Sequence, residues 1–484
     1  MAHRLTSRQV VPAPAEKVFG FFAEPLNLRR LTPSRMAFEF KTDDFEMREG
    51  LEIEYRLRAL PAFPVTWRTL VTGYEPPHRF TDVQLKGPYG RWEHSHTFTP
   101  VDTGTLVEDK IEYELPFGPL GRLGHSIVKG ELEQIFRHRA RAIDNIFATP
   151  RPKDEPLTVA IAGGTGFVGG AIAQELHRRG HRPIVISHRG EEARGDLPDN
   201  VEIRLADVTG GEDLEPALTG ADMLVVALAF ENLPIEAPRR GRTFEQVDAL
   251  GTERLVAAAG RAGVRKVVYM SGAGAAPDAE RHWFRAKWRA EQAVRSSGAD
   301  WTIIRPTWVY GPRDVSLNRF IGFARRLQMV PMTNLGRQQM APVFVDDLAN
   351  LAADSLTDPA AREQIFELGG PETMSMRRVI GRALAVAGIR RPIVPGPTPL
   401  IKLAALPLTL LPEPPLTPDA VDFVNQPATV DVGPLLARMP RRLTPFEEGL
   451  GMYLAPDSGP ATLEFDRVRN VGTAHLRGSS KIAE

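Results

Sequence analysis

The chain has 484 residues, too many for one core at roughly 150 residues per domain, and carries 60 Lys and Arg against 60 Asp and Glu. That balance gives no net field for nucleic acid, an acidic polymer or an anionic membrane, so partners must be recognised locally. The absence of cysteine excludes a disulfide framework, a thiol nucleophile and thiolate metal sites, and fits a cytoplasmic setting.

The opening MAHRLTSRQVVPAPAEK lacks the apolar stretch of a leader, and no uninterrupted apolar run reaches the roughly 18 residues that span a bilayer. Pro14 to Phe22 reads as a helix with Val18, Phe19 and Phe22 on one side. Alternating runs at Leu51 to Leu57, Thr66 to Thr72, Arg91 to Phe98 and Thr105 to Tyr113 predict antiparallel strands. A long helix, about Leu120 to Phe147, follows, with Leu123, Ile127, Leu132, Ile135, Ile143 and Ile146 at mostly helical spacing. Trp92, His94, His96 and Phe98 share one strand face, where two histidines one residue apart can share a metal. Without a third ligand in view they read as cavity-lining or surface groups, and no metal site is expected. Trp67 and Arg68 carry the same ambiguity, and Pro116-Phe117-Gly118-Pro119 reads as a structural lead into the long helix.

Thr149 to Pro156 combines three prolines with charge, as an interdomain linker does, which divides the chain into residues 1–150, a linker at 151–156 and a second domain over 157–455. Beyond it, apolar strands alternate with helices, the pattern of an α/β doubly wound parallel sheet. Strands are predicted at Thr158 to Ala162, Pro183 to Ser187, Val201 to Ala206, Met223 to Leu228, Lys266 to Ser271 and Trp301 to Arg305, with helices at Phe244 to Ala259 and Trp283 to Ser296. Pro399 to Leu416 is strongly apolar but broken by Lys402, Pro407 and Pro412, and reads as a buried helix rather than one lying in a membrane interface. Residues 456–484 are polar, without a sustained period, and are expected to be disordered.

Strand Thr158 to Ala162 leads directly into Gly163-Gly164-Thr165-Gly166-Phe167-Val168-Gly169 and then a helix. Strand, glycine turn and helix in that order predict a dinucleotide site: Gly163 for the tight turn, Gly166 for close approach to the pyrophosphate, Gly169 for helix packing. The amides and dipole of the helix start then face the phosphates. The second strand ends Ser187-His188-Arg189 with no acid to hold ribose hydroxyls, while Ser187 and Arg189 can bind a 2′-phosphate, which favours NADP(H) over NAD(H). Asp207 and Val208 after the third strand lie either beside the adenine or in a plain turn.

These residues resemble the short-chain dehydrogenase/reductase superfamily in its extended or atypical branch. Val267-Val268-Tyr269-Met270-Ser271 looks like that family's fifth strand ending at its active-site serine, and Arg305 through Pro312 like the strand and loop that border the substrate. Val343-Phe344-Val345-Asp346-Asp347 resembles a later family segment, and Pro414-Pro415-Leu416-Thr417 the NmrA-like group related to a respiratory complex I accessory subunit. The resemblance implies Ser271 and Lys287 as catalytic groups, with Lys287 also on the nicotinamide ribose. It also exposes a departure. Where the family places a tyrosine four residues before the lysine, this chain has Trp283, whose indole has no hydroxyl proton to give. Lys287, Tyr310 or His282 would have to serve instead. Residues 3–148, with Pro12 to Phe19 leading from strand to helix, resemble the START-like helix-grip superfamily of polyketide cyclases and lipid-transfer proteins, which implies a cavity for an apolar ligand.

Two functions follow as expectations. One is an NADP(H)-dependent oxidoreductase or epimerase-like enzyme on a hydrophobic small molecule held with help from the first domain. The other is a non-catalytic NADP(H)-binding protein that regulates or assembles a partner.

Overall fold

A computed structural model describes residues 2–33, 36–60, 63–116, 124–230, 234–326, 329–410, 417–455 and 459–468. Its contacts divide the chain into two units, one of Met1–Phe147 together with the chain from Gly459 onward, the other of Ala148–Ser458.

In the first unit, β1 (Ala2–Val11) and the helix Ala15–Phe22 precede a meander of β2 (Glu39–Phe40), β3 (Glu52–Leu60), β4 (Phe63–Glu75), β5 (Arg79–Lys86), β6 (Arg91–Val101) and β7 (Gly104–Glu114). The antiparallel sheet runs β2-β3-β4-β5-β6-β7-β1 and ends on a strand at Thr462–Val468. Strict alternation in β6 and β7 buries one face, and the helix His125–Ile146 packs its Leu132, Phe136, Ile143 and Ile146 against it. This is the helix-grip arrangement. The turn at Pro116 to Pro119 and the start expected for the long helix fall mostly outside the described residues. Trp67 is buried in an aromatic cluster with Tyr55 and Trp92, whereas Arg68 points to solvent near Glu52.

The tail expected to be disordered is corrected in part by that last strand. Its Thr-Leu-Glu-Phe-Asp-Arg-Val alternation lays Leu463 and Phe465 on the core side, and Glu464 pairs with Arg8 of β1 at 3.1 Å. Residues 469–484 lie outside the described part.

The second unit is a doubly wound sheet of β8 (Thr158–Ala162), β9 (Arg182–Ser187), β10 (Glu202–Leu205), β11 (Met223–Val226), β12 (Lys266–Met270), β13 (Asp300–Pro306) and a seventh strand, Gln364–Leu368, that the sequence reading did not anticipate. All are parallel, in the order β10-β9-β8-β11-β12-β13 and then Gln364–Leu368. Both faces are covered, so the strands alternate between two cores. Val159 and Ile161 join one with Ile172, Leu176 and Leu348; Ala160 and Ala162 join the other with Leu255 and Val294. The order reverses between β8 and β11, which opens a crevice at the carboxyl ends of those strands.

The apolar stretch near Pro399 is not a buried helix. The helix Thr398–Ala405 and the turn after it leave Leu400, Leu403, Leu406 and Leu410 between 53% and 82% exposed, and only Ala405 is buried. Pro407 stops the helix just after Ala405, and an ion pair of Lys402 with Asp422 fixes its other side. Residues 411–416, including most of the Pro414 to Thr417 motif, lie outside the described part.

Candidate functional site

The glycine turn leaves β8 at the edge of that crevice. Gly163 has φ 79°, and a Cβ there would stand 2.4 Å from the Ala227 carbonyl oxygen at the end of β11. A Cβ on Gly169 would stand 2.3 Å from the Gly163 carbonyl oxygen, so helix and turn touch backbone to backbone. The helix Phe167–Arg178 starts at Gly166, whose backbone is extended and which offers no side-chain cap to the first amides. Those N–H groups suit an anion. Phe167 and Val168 turn their side chains into the apolar clusters, so they can face a ligand only through backbone.

Arg313 was missed by sequence reasoning. Its guanidinium donates to the Thr165 carbonyl at 2.9 Å and pairs with Asp196 at 3.1 Å, which pins the turn from outside. It follows the loop after β13, 148 residues beyond Thr165, and only the fold brings the two together.

Along the same carboxyl edge, Ser187 ends β9. Its Oγ lies 3.4 Å from Thr165 Oγ1 and accepts the Arg189 N–H at 3.2 Å, while the Arg189 side chain is exposed. Asp207 accepts both the N–H and the hydroxyl of Thr209, at 2.8 and 2.7 Å, which is the turn role; Val208 is buried against Gly251.

The chemistry expected beside β12 is arranged differently from what the sequence suggested. Lys287 forms an ion pair with the buried carboxylate of Asp248 and donates to the Met270 carbonyl at 3.3 Å. Asp248 sits on a π-helical segment, Phe244–Leu250, whose wide turn carries it inward. Burial pushes the Asp248 carboxyl up and Lys287 opposes the shift; its Oδ2 has no hydrogen-bond partner among the described residues. Ser271 donates to Glu291 at 2.5 Å, and Glu291, only 1% exposed, is held bidentately by Arg305 at 2.7 and 2.8 Å. The one hydroxyl proton of Ser271 is therefore committed, and its oxygen can accept but not donate. A signal for Glu291 was present, since Trp283, Lys287 and Glu291 follow at steps of four on one helix face.

Trp283 is packed with Phe230, Phe244, Ala286 and Phe423 as core. Tyr310 is a correction: it is fully buried, its hydroxyl donates to the Phe446 carbonyl at 3.3 Å, and burial raises its pKa far above the ordinary range, so it is a packing group and not a substitute acid. His282 lies 2.8 Å from Glu236, which in turn accepts the Phe244 N–H.

In the first unit the histidine face is buried rather than surface. His94 and His96 converge with Asp82 of β5, and Asp109 of β7 lies against both rings. Burial holds the His94 imidazole down to about 4, with His96 adding to the effect.

Comparison with known proteins agrees with both units. The family described as "NAD(P)H-binding" matches residues 163–359, and "Polyketide cyclase / dehydrase and lipid transport" matches residues 2–144. The NADH-ubiquinone oxidoreductase 40 kDa subunit of Neurospora crassa is 27% identical over 228 residues, covering 46% of this chain and 58% of the subunit. The (4-alkanoyl-5-oxo-2,5-dihydrofuran-3-yl)methyl phosphate reductase of Streptomyces griseus is 29% identical over 242 residues, covering 47% and 75%. The chain thus spans less than two thirds of the mitochondrial relative. The UDP-glucose 4-epimerase of Thermotoga maritima superposes with a TM-score of 0.50 at 17% identity over 62% of this chain and 97% of the epimerase, which establishes a shared fold. No helix among the described residues is long and apolar enough to cross a membrane.

Proposed function

From a chain that joins an NAD(P)H-binding domain of the epimerase and reductase kind to one of the polyketide cyclase kind, we infer an NADP(H)-dependent oxidoreductase or epimerase-like enzyme acting on a hydrophobic small molecule. The observation that carries this reading is the Lys287–Asp248 pair at the carboxyl end of β12, a buried carboxylate facing a part-exposed ammonium, because a buried charge matched to one specific partner that still reaches solvent is what a reactive site requires. When bound, the nicotinamide supplies or takes a hydride. Gly163, Thr165, Gly166, Phe167, Val168 and Gly169 offer backbone to the pyrophosphate, and Ser187 and Arg189 hold the 2′-phosphate. The turn that Asp207 holds, with Val208 packed beneath it, borders the adenine side. Two of the three N–H donors of Lys287 are committed to Asp248 and Met270, which leaves the third for a ribose hydroxyl or a substrate oxygen. Lys287 then gives that oxygen the proton that the indole of Trp283 cannot, and Asp248 orients the ammonium toward it. Polyketide cyclase-type folds that take apolar molecules support placing the hydrophobic substrate or product in the first domain.

The test is NADPH consumption across a panel of hydrophobic carbonyls and quinones, with Asp248→Asn as the probe. NADPH binding should persist in that variant, while turnover falls by about 100-fold or more. Absence of turnover in the unaltered protein across the panel would leave the second reading, a cofactor-binding protein that regulates or assembles a partner. A specific observation favours that alternative: Trp283 replaces the acid and the Ser271 proton is already given to Glu291.

A further inference from the structure

The β5 strand, which alternation alone did not reveal, supplies the third group that the histidine pair lacked. Asp82 lies opposite His94 across the β5–β6 ladder, and one ligand atom from each of Asp82, His94 and His96 falls within 4.8 Å of the other two. His94 and His96 are 8% and 5% exposed, and their rings lie 3.9 Å apart, centre to centre. The Asp82 carboxylate faces His96 Nε2 at 3.8 Å, too long for a hydrogen bond and close to the separation of two atoms ligating one metal at 2.0–2.2 Å.

The surrounding groups fix the imidazoles for ligation. Asp109 Oδ1 lies 2.5 Å from His96 Nδ1 and 3.3 Å from His94 Nε2. A proton on each of those nitrogens leaves the lone pairs of His96 Nε2 and His94 Nδ1 as donors, the carboxylate–histidine–metal relay. Asp82 is itself oriented by the Thr69 hydroxyl, which donates to its Oδ1 at 2.7 Å and leaves Oδ2 as the ligating oxygen. Arg139 reaches Asp109 Oδ1 at 3.2 Å and offsets one of the two carboxylates. Phe80 stacks on His96 at 4.2 Å and Phe136 edges His94 at 6.0 Å, so the donors sit in an apolar shell that keeps bulk water from competing.

We propose that Asp82, His94 and His96 form a site for one divalent transition metal in the helix-grip unit, with Asp109 as the carboxylate that orients both histidines. Two imidazoles and one carboxylate suit zinc(II), and three protein ligands leave a coordination position open for water or an anionic ligand. The proposal is independent of the nucleotide chemistry of the other unit.

Full-length protein stripped with chelator and dialysed is titrated with zinc(II) and, separately, cobalt(II). One equivalent per chain is expected, with a rise in the unfolding midpoint and visible cobalt absorption of a nitrogen and oxygen site. Asp82→Asn keeps size and the Thr69 contact, so it should fold and weaken binding by at least about tenfold. His96→Asn should do the same, and His188→Ala, an exposed histidine elsewhere, should leave binding unchanged. No stoichiometric metal in the unaltered protein, or full retention in a folded Asp82→Asn variant, overturns the site. Should His96→Asn fail to fold, the Asp82→Asn result decides alone.

Discussion

The two halves of the crevice edge in the second unit are built from different material. Around Gly163 to Gly169 the site is backbone: a left-handed turn, a Cβ-free contact and a helix start without a side-chain cap. Around β12 it is side chains, paired across long stretches of chain as Lys287 with Asp248, Ser271 with Glu291, and Glu291 with Arg305. Backbone requirements leave fixed glycine spacings in the sequence, whereas pairings leave polar residues on a charged helix and on strands with nothing local to mark them. The half that binds is therefore readable from local pattern, and the half that reacts is not.

The largest effect should come from breaking the side-chain half. Glu291→Gln removes the carboxylate that Arg305 grips bidentately at a nearly solvent-free position, and a buried pair that loses one partner costs on the order of 3 kcal/mol. The thermal midpoint of the variant without cofactor should fall by several degrees. A midpoint unchanged within one degree or so would mean that the triad contributes nothing to stability and that β12 is held by packing alone.

Gly169→Ala tests the backbone half. A methyl 2.3 Å from the Gly163 oxygen has to push turn and helix apart, at roughly 1–3 kcal/mol for overpacking. The sharper readout is the stabilisation by NADPH, which follows RT ln(1 + [L]/Kd) and should largely vanish. Retained NADPH stabilisation would show that the glycine contact is structural and that nucleotide binds elsewhere.

How far the chain could be read follows the same division. Six of the seven parallel strands were visible because buried parallel strands are continuous apolar runs, whereas Glu291, four residues after Lys287 on one helix face, was passed over. The seventh, Gln364–Leu368, alternates with exposed Gln364 neighbours and lacks that run. Asp248 and Arg313 were invisible because nothing nearby in sequence marks them; a π-helical turn and a loop after β13 bring them to the site. Tyr310 was misjudged for the converse reason, since a tyrosine after a strand looks reactive until Phe446 and Phe344 close around it. In the first unit, the strand at Thr462–Val468 was taken for tail because its partner edge lies more than 450 residues earlier.

Nucleotide choice should respond more modestly. Arg189 is exposed at the tip of β9, so its charge-assisted bond to a 2′-phosphate is worth about 1.5 kcal/mol, the low end for such contacts. Arg189→Ala should weaken NADPH binding by about tenfold and leave NADH binding unchanged, measured by cofactor fluorescence titration. Equal losses for both nucleotides would assign Arg189 to the shared pyrophosphate or to the fold.

A pH effect is expected beside the backbone half. Asp314 follows Arg313, the residue that pins the glycine turn, and accepts the N–H groups of Ser316 and Leu317 at 2.8 Å each. Burial pushes its carboxyl up to about 7, with the two backbone bonds opposing the shift. In the unfolded chain the same group titrates near 3.9. Between those values the folded protein holds a proton that the unfolded chain has released, so this contribution to stability is complete at low pH and is lost as pH rises through about 7. The midpoint should therefore fall between about pH 5 and about pH 8 in the unaltered protein, by roughly 5–10 °C at 2–4 °C per kcal/mol. Asp314→Asn keeps a side-chain acceptor for the helix start and cannot titrate, so its midpoint should follow a flatter curve over that range. Parallel curves for the two proteins would mean that Asp314 stays ionised in the fold and that its backbone bonds outweigh its burial.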